Sequence, residues 1–411
     1  MVAAGEIRRV VVVGAGQAGL NVARALRGER FGGEIVLIGE EPHPPYERPP
    51  LSKAVLAGAA APDSVLLIKP EAFARLELDF RPGTRALAID RDARSLALAS
   101  GERLRYDRLV LATGGAARKP AIPGIDFTGV FGLRSLEDSL AIRAELSDGK
   151  RLAVLGGGWI GLEVAATARR RGLEVTVFEV ADRLCARVAP PLLSRYLEAL
   201  HRANGVALRL GESIGEIVAE GDGLALTLTS GEVLAVDCLV YGIGLVANDQ
   251  LARAAGLECD GGILTDAEGR TADSATFACG DVAVFAHPAL DGRRRRLESW
   301  GNAQHQPVAT AKALLGLEVR YEEIPWFWSD QYKTNIQMLG LPDPARESVL
   351  RGRIEEGRFS LFWLADGTIS AAVAVNAASD IQVAKRLMQR RKTVETAALA
   401  DPAQNLRALL K

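Results

Sequence analysis

The chain has 411 residues, 48% hydrophobic and 25% charged, which suits two or three domains with their own cores and excludes a single small one. A formal net charge of -1 at pH 7 gives no general attraction to nucleic acid or to an anionic membrane. No apolar run approaches the ~20 residues that span a bilayer, and the opening Met1-Val2-Ala3-Ala4-Gly5-Glu6 lacks a signal peptide's apolar stretch, so a cytoplasmic protein is expected.

Residues 10–13 read as a buried strand, followed by Gly14-Ala15-Gly16-Gln17-Ala18-Gly19, a helix to about Arg27, and a strand over 34–38 that leads to Glu40 and Glu41. This is the βαβ order of a dinucleotide fold. The first glycine permits the tight turn, the second lets backbone approach a pyrophosphate, and the third lets helix pack on strand. The helix N-terminus adds donors and a positive dipole end.

The same order returns over residues 152–179, with Gly156-Gly157-Gly158-Trp159-Ile160-Gly161 as the turn and Glu179 as the terminal acid. A second pair of segments, residues 106–114 and 236–244, shares an Asp-x-Leu-Val core and a closing glycine. Both pairs recur in the same order at similar spacing, so one domain type is used twice. Residues 276–281 follow the second unit yet still read as a nucleotide-domain strand end, which makes the second unit an insertion into the first. Residues 113–123 and 244–248, rich in glycine, proline or both, are the expected hinges.

A helix is expected over 304–315, where Pro307 requires either a start at Gln306 or a kink. Beyond Tyr321 the pattern changes to aromatics at Trp326, Phe327 and Trp328, then strands over 359–364 and 368–375 around an Asp366-Gly367 hairpin turn, and a closing helix over 380–391. The expected fold is α/β, with two Rossmann-like dinucleotide-binding domains and a smaller α+β C-terminal domain. The expected boundaries are 1–113 with 245–320 for the first domain, 114–244 for the second and 321–411 for the third.

A carboxylate at Glu40, helped by Glu41, and another at Glu179 sit where an adenosine ribose would be hydrogen-bonded, unless they are only solvated strand ends. At Glu179 the charge would also repel a 2′-phosphate, which favours NADH over NADPH; Arg183 is the nearby cation that would weaken this preference. Flavin and nicotinamide are the usual pair of dinucleotides that must meet, so the doubled motif points to a redox enzyme using FAD and NADH. Cys185, Cys238, Cys259 and Cys279 are too scattered for a Cys-x-x-Cys pair, and His43, His201, His287 and His305 form no metal-spaced cluster. Neither a redox disulfide nor a metal is expected.

The string Tyr46-Glu47-Arg48-Pro49-Pro50-Leu51-Ser52-Lys53, the second glycine turn, Cys279-Gly280-Asp281 and Trp326-Phe327-Trp328-Ser329-Asp330-Gln331 together resemble the FAD-dependent, NADH-linked ferredoxin reductases of bacterial oxygenase systems. The resemblance runs in order along nearly the whole chain and implies a glutathione reductase-like arrangement of the two nucleotide domains. It implies that Arg48 contacts FAD and that Lys53 sits near the reactive nitrogen, where a cation stabilises negative charge on reduced flavin. It further implies FAD contacts from Ala86 at the adenosine end, from Thr113, Gly114 and Arg134, and from Asp281 with Val282 at the sugar-alcohol chain.

For NADH the resemblance implies Gly156, Gly158, Ile160 and Gly161 at the turn, together with Gly244 and Glu298. Glu163 would approach the nicotinamide and pair with Lys53, or act only on the helix dipole. Trp159 would line the nicotinamide pocket or pack between domains, and Trp328 would lie near flavin and nicotinamide or in the core. The implied acceptor is a small acidic [2Fe-2S] ferredoxin serving a monooxygenase or ring-hydroxylating dioxygenase. Arg293, Arg294, Arg295 and Arg296, with Lys312 and Lys333, are candidates for its docking patch, or form a solvated loop. An NADH oxidase or apoptosis-inducing-factor-like flavoprotein, with oxygen or quinone as acceptor, is the alternative.

Overall fold

The computed structural model describes residues 7–411 except 289, 291, 344 and 347 and the side chain of residue 70, so the reading of Met1 to Glu6 lies outside the described residues. Contacts divide the chain into two units. One comprises the chain as far as Glu47 with Asp63–Ala116 and Val246–Pro325; the other comprises Arg48–Pro62, Ala117–Leu245 and Trp326–Lys411.

In the first unit a five-stranded parallel sheet runs in the order Thr276–Ala278, Arg108–Leu111, Arg9–Val13, Glu34–Ile38, Leu78–Arg81. Its central strand is apolar at successive positions because both faces are covered: Val10, Val11 and Val12 have no exposure. Each contributes on the order of 1.5–3 kcal/mol by leaving water. Helix Gln17–Gly28 buries Leu20, Val22, Ala23 and Leu26 and packs along helix Trp300–Leu314. The return of Thr276–Ala278 beside Arg108–Leu111 makes this unit discontinuous, as the strand-end pattern implied.

Helix Trp300–Leu314 sets aside one of the two expectations at Pro307, a start at Gln306: it starts at Trp300, where the Ser299 hydroxyl accepts from the Asn302 N–H at 3.1 Å. Proline cannot donate to the carbonyl four residues back, that of Ala303. Asn21 supplies the missing donor through its side-chain amide at 3.1 Å, from a buried position on the neighbouring helix.

The second unit repeats the first sheet's logic with Ala207–Leu210, Glu174–Glu179, Arg151–Leu155, Cys238–Tyr241 and Val130–Gly132, all parallel. The duplication extends to side chains. Asp107 Oδ2 accepts the Arg9 N–H at 2.8 Å in one unit, and Asp237 Oδ2 accepts the Arg151 N–H at 2.7 Å in the other. Each aspartate thus pins the strand after it to the first strand of its own βαβ element.

A five-stranded antiparallel sheet, in the order Trp326–Gln331, Thr334–Gly340, Thr368–Val375, Arg358–Ala365, Ser348–Arg353, completes this unit under helix Ala378–Gln389. Its hairpin turns at Asp366 and Gly367, at φ +50° and +73°, as the Asp-Gly pair implied. Val154, Val164, Ile336, Phe359 and Val373 share one core, so the C-terminal sheet packs on the second nucleotide sheet rather than standing apart.

Residues 48–62 also belong to the second unit, whereas the sequence-based boundaries group them with the first glycine motif. Three bonds account for this placement. The Ser139 and Thr167 hydroxyls donate to the carbonyls of Leu51 and Ser52 at 2.7 and 2.8 Å, and Arg171 donates to that of Leu56 at 3.2 Å.

Candidate active site

Both glycine turns are built so that only glycine fits at their ends. A Cβ at Gly14, at φ +109°, would stand 2.2 Å from the Ala112 carbonyl oxygen, and one at Gly19 would stand 1.9 Å from that of Gly14. Gly156, at φ +114°, and Gly161 face the oxygens of Gly242 and Gly156 at 2.6 and 2.0 Å in the same way. The middle glycines differ. A Cβ on Gly16 would meet nothing within 4 Å, and one on Gly158 only an oxygen at 3.8 Å. No side chain caps the helices that begin there. The two open cradles, floored by helix-start N–H groups, fit the pyrophosphates of two dinucleotides.

The acids at the ends of the second strands are held differently. Glu179 Oε2 accepts from the Gly157 N–H at 2.7 Å and Oε1 from the Ala181 N–H at 2.9 Å, which fixes the carboxylate against the second turn. Arg183 is committed elsewhere: it donates to the carbonyls of Ala189 and Ala186 and to the Ser194 hydroxyl at 2.7–2.9 Å. In the first unit Glu40 is largely exposed, with the Arg85 guanidinium 3.5 Å away, while the Tyr46 hydroxyl donates to Glu41.

Lys53 and Glu163 come together within the second unit. Pro49 and Pro50 start a single helical turn, Pro49–Ser52, that delivers Lys53 at its end. Glu163 lies in the second turn of helix Trp159–Arg170, just 3% exposed. Lys53 Nζ stands 2.8 Å from Glu163 Oε2 and also donates to the Pro49 carbonyl at 3.1 Å. Two hydroxyls complete the carboxylate's shell: Ser52 donates to Oε2 at 2.5 Å and Ser329 to Oε1 at 2.6 Å. A buried carboxylate so surrounded has its desolvation offset by three donors, while the ammonium that pairs with it keeps one-fifth of its side chain exposed. Sequence reasoning found the pair and missed Ser52 and Ser329, although both stand inside its two most specific strings.

The aromatic residues divide between packing and exposure. Trp159 packs on Phe327 within the second unit, with ring centroids 5.2 Å apart. Strand Trp326–Gln331 alternates, so Trp326 and Trp328 share one face and stack 4.9 Å apart at 19°, both half-buried. The remaining positions fall in both units. Arg48 donates to the Arg134 carbonyl at 2.5 Å in the second. In the first, Thr113 and Asn248 exchange side-chain bonds to each other's carbonyls at 2.7 and 3.0 Å, which ties the two expected hinge segments together beside Gly114. Gly280 N–H donates to Gln306 at 2.9 Å just before Asp281, Val282 is fully buried, and Ala86 opens an antiparallel strand. Gly244, at φ +117°, accepts from the Arg118 N–H at 2.9 Å within the second unit. Glu298 pairs with Arg296 in the first.

Residues 8–307 match the model of the pyridine nucleotide-disulphide oxidoreductase family, and residues 326–410 match the reductase C-terminal family. The chain belongs to the pyridine nucleotide-disulphide oxidoreductase family. Among its relatives is the ferredoxin–NAD(+) reductase component of the anthranilate 1,2-dioxygenase system of Burkholderia cepacia, 42% identical, with 97% of this chain and 98% of the relative covered. Putidaredoxin reductase of Pseudomonas putida is 39% identical, over 98% of this chain and 96% of the relative. The crystal structure of the covalent putidaredoxin reductase–putidaredoxin complex superposes with a TM-score of 0.94 at 38% identity, covering 98% of each chain.

Despite its family's name, the reductase holds all four cysteines as free thiols. Burial raises each thiol's pKa, to about 12 for Cys238 and Cys279, so none is a thiolate at neutral pH. The basic run is partly engaged. Arg296 is bound to Glu298 and donates to the Gly261 carbonyl at 2.8 Å, and Lys312 lies 3.4 Å from Glu29; Arg293, Arg294, Arg295 and Lys333 are exposed. No helix among the described residues is long and apolar enough to cross a membrane.

Proposed function

We propose that the protein passes electrons from NADH through FAD to a small acidic [2Fe-2S] ferredoxin that serves a monooxygenase or ring-hydroxylating dioxygenase in the cytoplasm. The observation that carries this reading is the pair of open glycine cradles in a chain aligned end to end with ferredoxin reductases. The balance is one NADH and two oxidised ferredoxins giving NAD+, two reduced ferredoxins and one proton. FAD, when bound, supplies the means of taking two electrons together and giving them up one at a time.

In this reading residues 1–113 and 245–320 form the FAD-binding domain, 114–244 the NAD-binding domain and 321–411 the C-terminal domain. Gly14, Ala15, Gly16 and Gly19 cradle the FAD pyrophosphate, and Glu40 and Glu41 hold its ribose. Ala86 borders the adenosine, while Arg48, Thr113, Gly114, Arg134, Asp281 and Val282 orient the rest. Gly156, Gly158, Ile160 and Gly161 cradle NADH, Glu179 takes its adenosine ribose, and Gly244 and Glu298 border it.

Lys53, held by Glu163, places a positive charge where negative charge develops on flavin reduction, and Trp159 and Trp328 shape the nicotinamide side. Arg293, Arg294, Arg295 and Lys333 attract the acidic partner. Reconstitution with a panel of [2Fe-2S] ferredoxins, each assayed with NADH and NADPH, tests the reading. Fast NADH-dependent reduction of one ferredoxin is expected. Rapid turnover on oxygen or a quinone with no ferredoxin accelerating it would assign the acceptor differently.

A further inference from the structure

A chain of buried polar side chains runs away from Glu163 through the second unit. Ser329 Oγ, which donates to Glu163 Oε1 at 2.6 Å, accepts from Gln331 Nε2 at 3.1 Å. Gln331 Oε1 then faces His201 Nε2 at 2.8 Å, and His201 Nδ1 faces the Tyr332 hydroxyl at 3.4 Å. Ser329, Gln331 and His201 are each at most 1% exposed. Ser329 and Gln331 share the inward face of strand Trp326–Gln331, and His201 extends the apolar face of helix Pro191–Ala203 formed by Leu193 and Leu197.

Counting hydrogens gives the chain a direction. A carboxylate only accepts, so the single hydroxyl hydrogen of Ser329 is committed to Glu163. Its oxygen must therefore receive from the Gln331 amide, which turns the Gln331 carbonyl toward His201. Nε2 of His201 must then carry the hydrogen, with Nδ1 accepting from Tyr332. Burial holds the ring below the ordinary histidine pKa and hence neutral, as one N–H and one acceptor require. Reversing the amide would take the serine hydrogen off Glu163 and demand the other tautomer of His201. The histidine thus decides which of two arrangements the buried chain adopts.

We propose that His201 and Gln331 are positioning residues for hydride transfer, holding the Ser329 hydroxyl on Glu163 and through it the orientation of Lys53. The inference rests on the reading that Lys53 and Glu163 serve the flavin and the nicotinamide. Nothing reacts at His201 or Gln331; they act through the carboxylate.

The test is anaerobic stopped-flow bleaching of the FAD-loaded enzyme by NADH. Q331M, of similar shape without the amide, and H201F should each slow the limiting rate by about five-fold or more while the NADH concentration for half-saturation stays within about two-fold. H201Q, which keeps an N–H donor facing Gln331, should restore most of the rate lost in H201F. In an E163Q background, Q331M should add less than about two-fold, because its route to the site is already cut. Unchanged rates in Q331M and H201F, or full additivity with E163Q, would overturn the inference. Q331M and H201F probe the chain from two ends, so loss of folding in one leaves the other decisive. Unaltered hydride transfer in E163Q itself would instead remove the assignment of the Lys53–Glu163 site.

Discussion

Lys53 and Glu163, 110 positions apart in sequence, form a 2.8 Å ion pair in which the carboxylate is almost wholly buried and the ammonium is not. Three donors offset the desolvation of Glu163: the ammonium and the hydroxyls of Ser52 and Ser329. Removing the cation leaves a buried carboxylate with two. K53M is therefore expected to cost about 3 kcal/mol in stability, more than E163Q, which removes the buried charge and leaves unpaired only the partly exposed ammonium. Both should slow flavin reduction by NADH. Equal thermal stabilities for K53M and wild type would show the pair to be energetically idle.

The Glu179 carboxylate, with both oxygens fixed by backbone N–H groups, gives a second expectation. Wild type should prefer NADH, because a 2′-phosphate would meet a carboxylate that cannot swing aside. Arg183 is held away by three bonds, to the Ala186 and Ala189 carbonyls and the Ser194 hydroxyl. E179A should lower the NADH/NADPH ratio of kcat/KM by about ten-fold or more, mostly through KM. A wild-type preference for NADPH would defeat the argument.

Asn21 and Pro307 supply a prediction about stability alone. N21L leaves the Ala303 carbonyl without its side-chain donor in a buried helix contact, at a cost of about 1–3 kcal/mol. In a P307A background the backbone regains an N–H that reaches that carbonyl, so the penalty of N21L should shrink. Chemical denaturation of the four proteins checks it; identical penalties in both backgrounds would refute the compensation.

Much of the fold was legible because its signals are local. Strand Glu34–Ile38 and the Asp366-Gly367 turn follow from a short apolar run and from turn chemistry, each read within a dozen residues. The shared function of Asp107 and Asp237 was hinted at by the repeated Asp-x-Leu-Val, although its purpose, pinning the first strand, needs coordinates. The start of the helix at Trp300, ahead of Pro307, was not legible, because the donor that proline lacks comes from Asn21, almost 290 positions away. The contacts of residues 48–62 are likewise distant in sequence: Ser139, Thr167 and Arg171 hold the segment through bonds that no local pattern announces. At the site, Lys53 and Glu163 were found, whereas Ser52, Ser329, Gln331 and His201 read as ordinary polar residues until burial showed that each must be satisfied.

The thiols give a fourth expectation. Cys185, Cys238 and Cys279 are buried, and all four cysteines are protonated at neutral pH because burial raises their pKa. Iodoacetamide or arsenite at pH 7 should leave NADH-dependent ferredoxin reduction within about two-fold of the untreated enzyme. Rapid inhibition with uptake of reagent at NADH-reduced enzyme would place a thiol on the electron path.

The last expectation concerns pH. His201 and His287 have no exposure, and burial lowers the pKa of both below the ordinary 6.5. Below that value the unfolded chain takes up protons that these folded histidines resist, so their contribution is intact above pH 6.5 and is lost as pH falls through and below it. Each histidine adds a slope that approaches about 1.4 kcal/mol per pH unit between the unfolded and folded pKa values. Denaturation of wild type at stepped pH from 7.5 to about 5, above the main carboxylate range, should show falling stability, and H201Q should fall less steeply because one of the two resisting groups is gone. Parallel profiles for H201Q and wild type would mean that His201 accepts its proton as readily inside the fold as outside it, contrary to its burial.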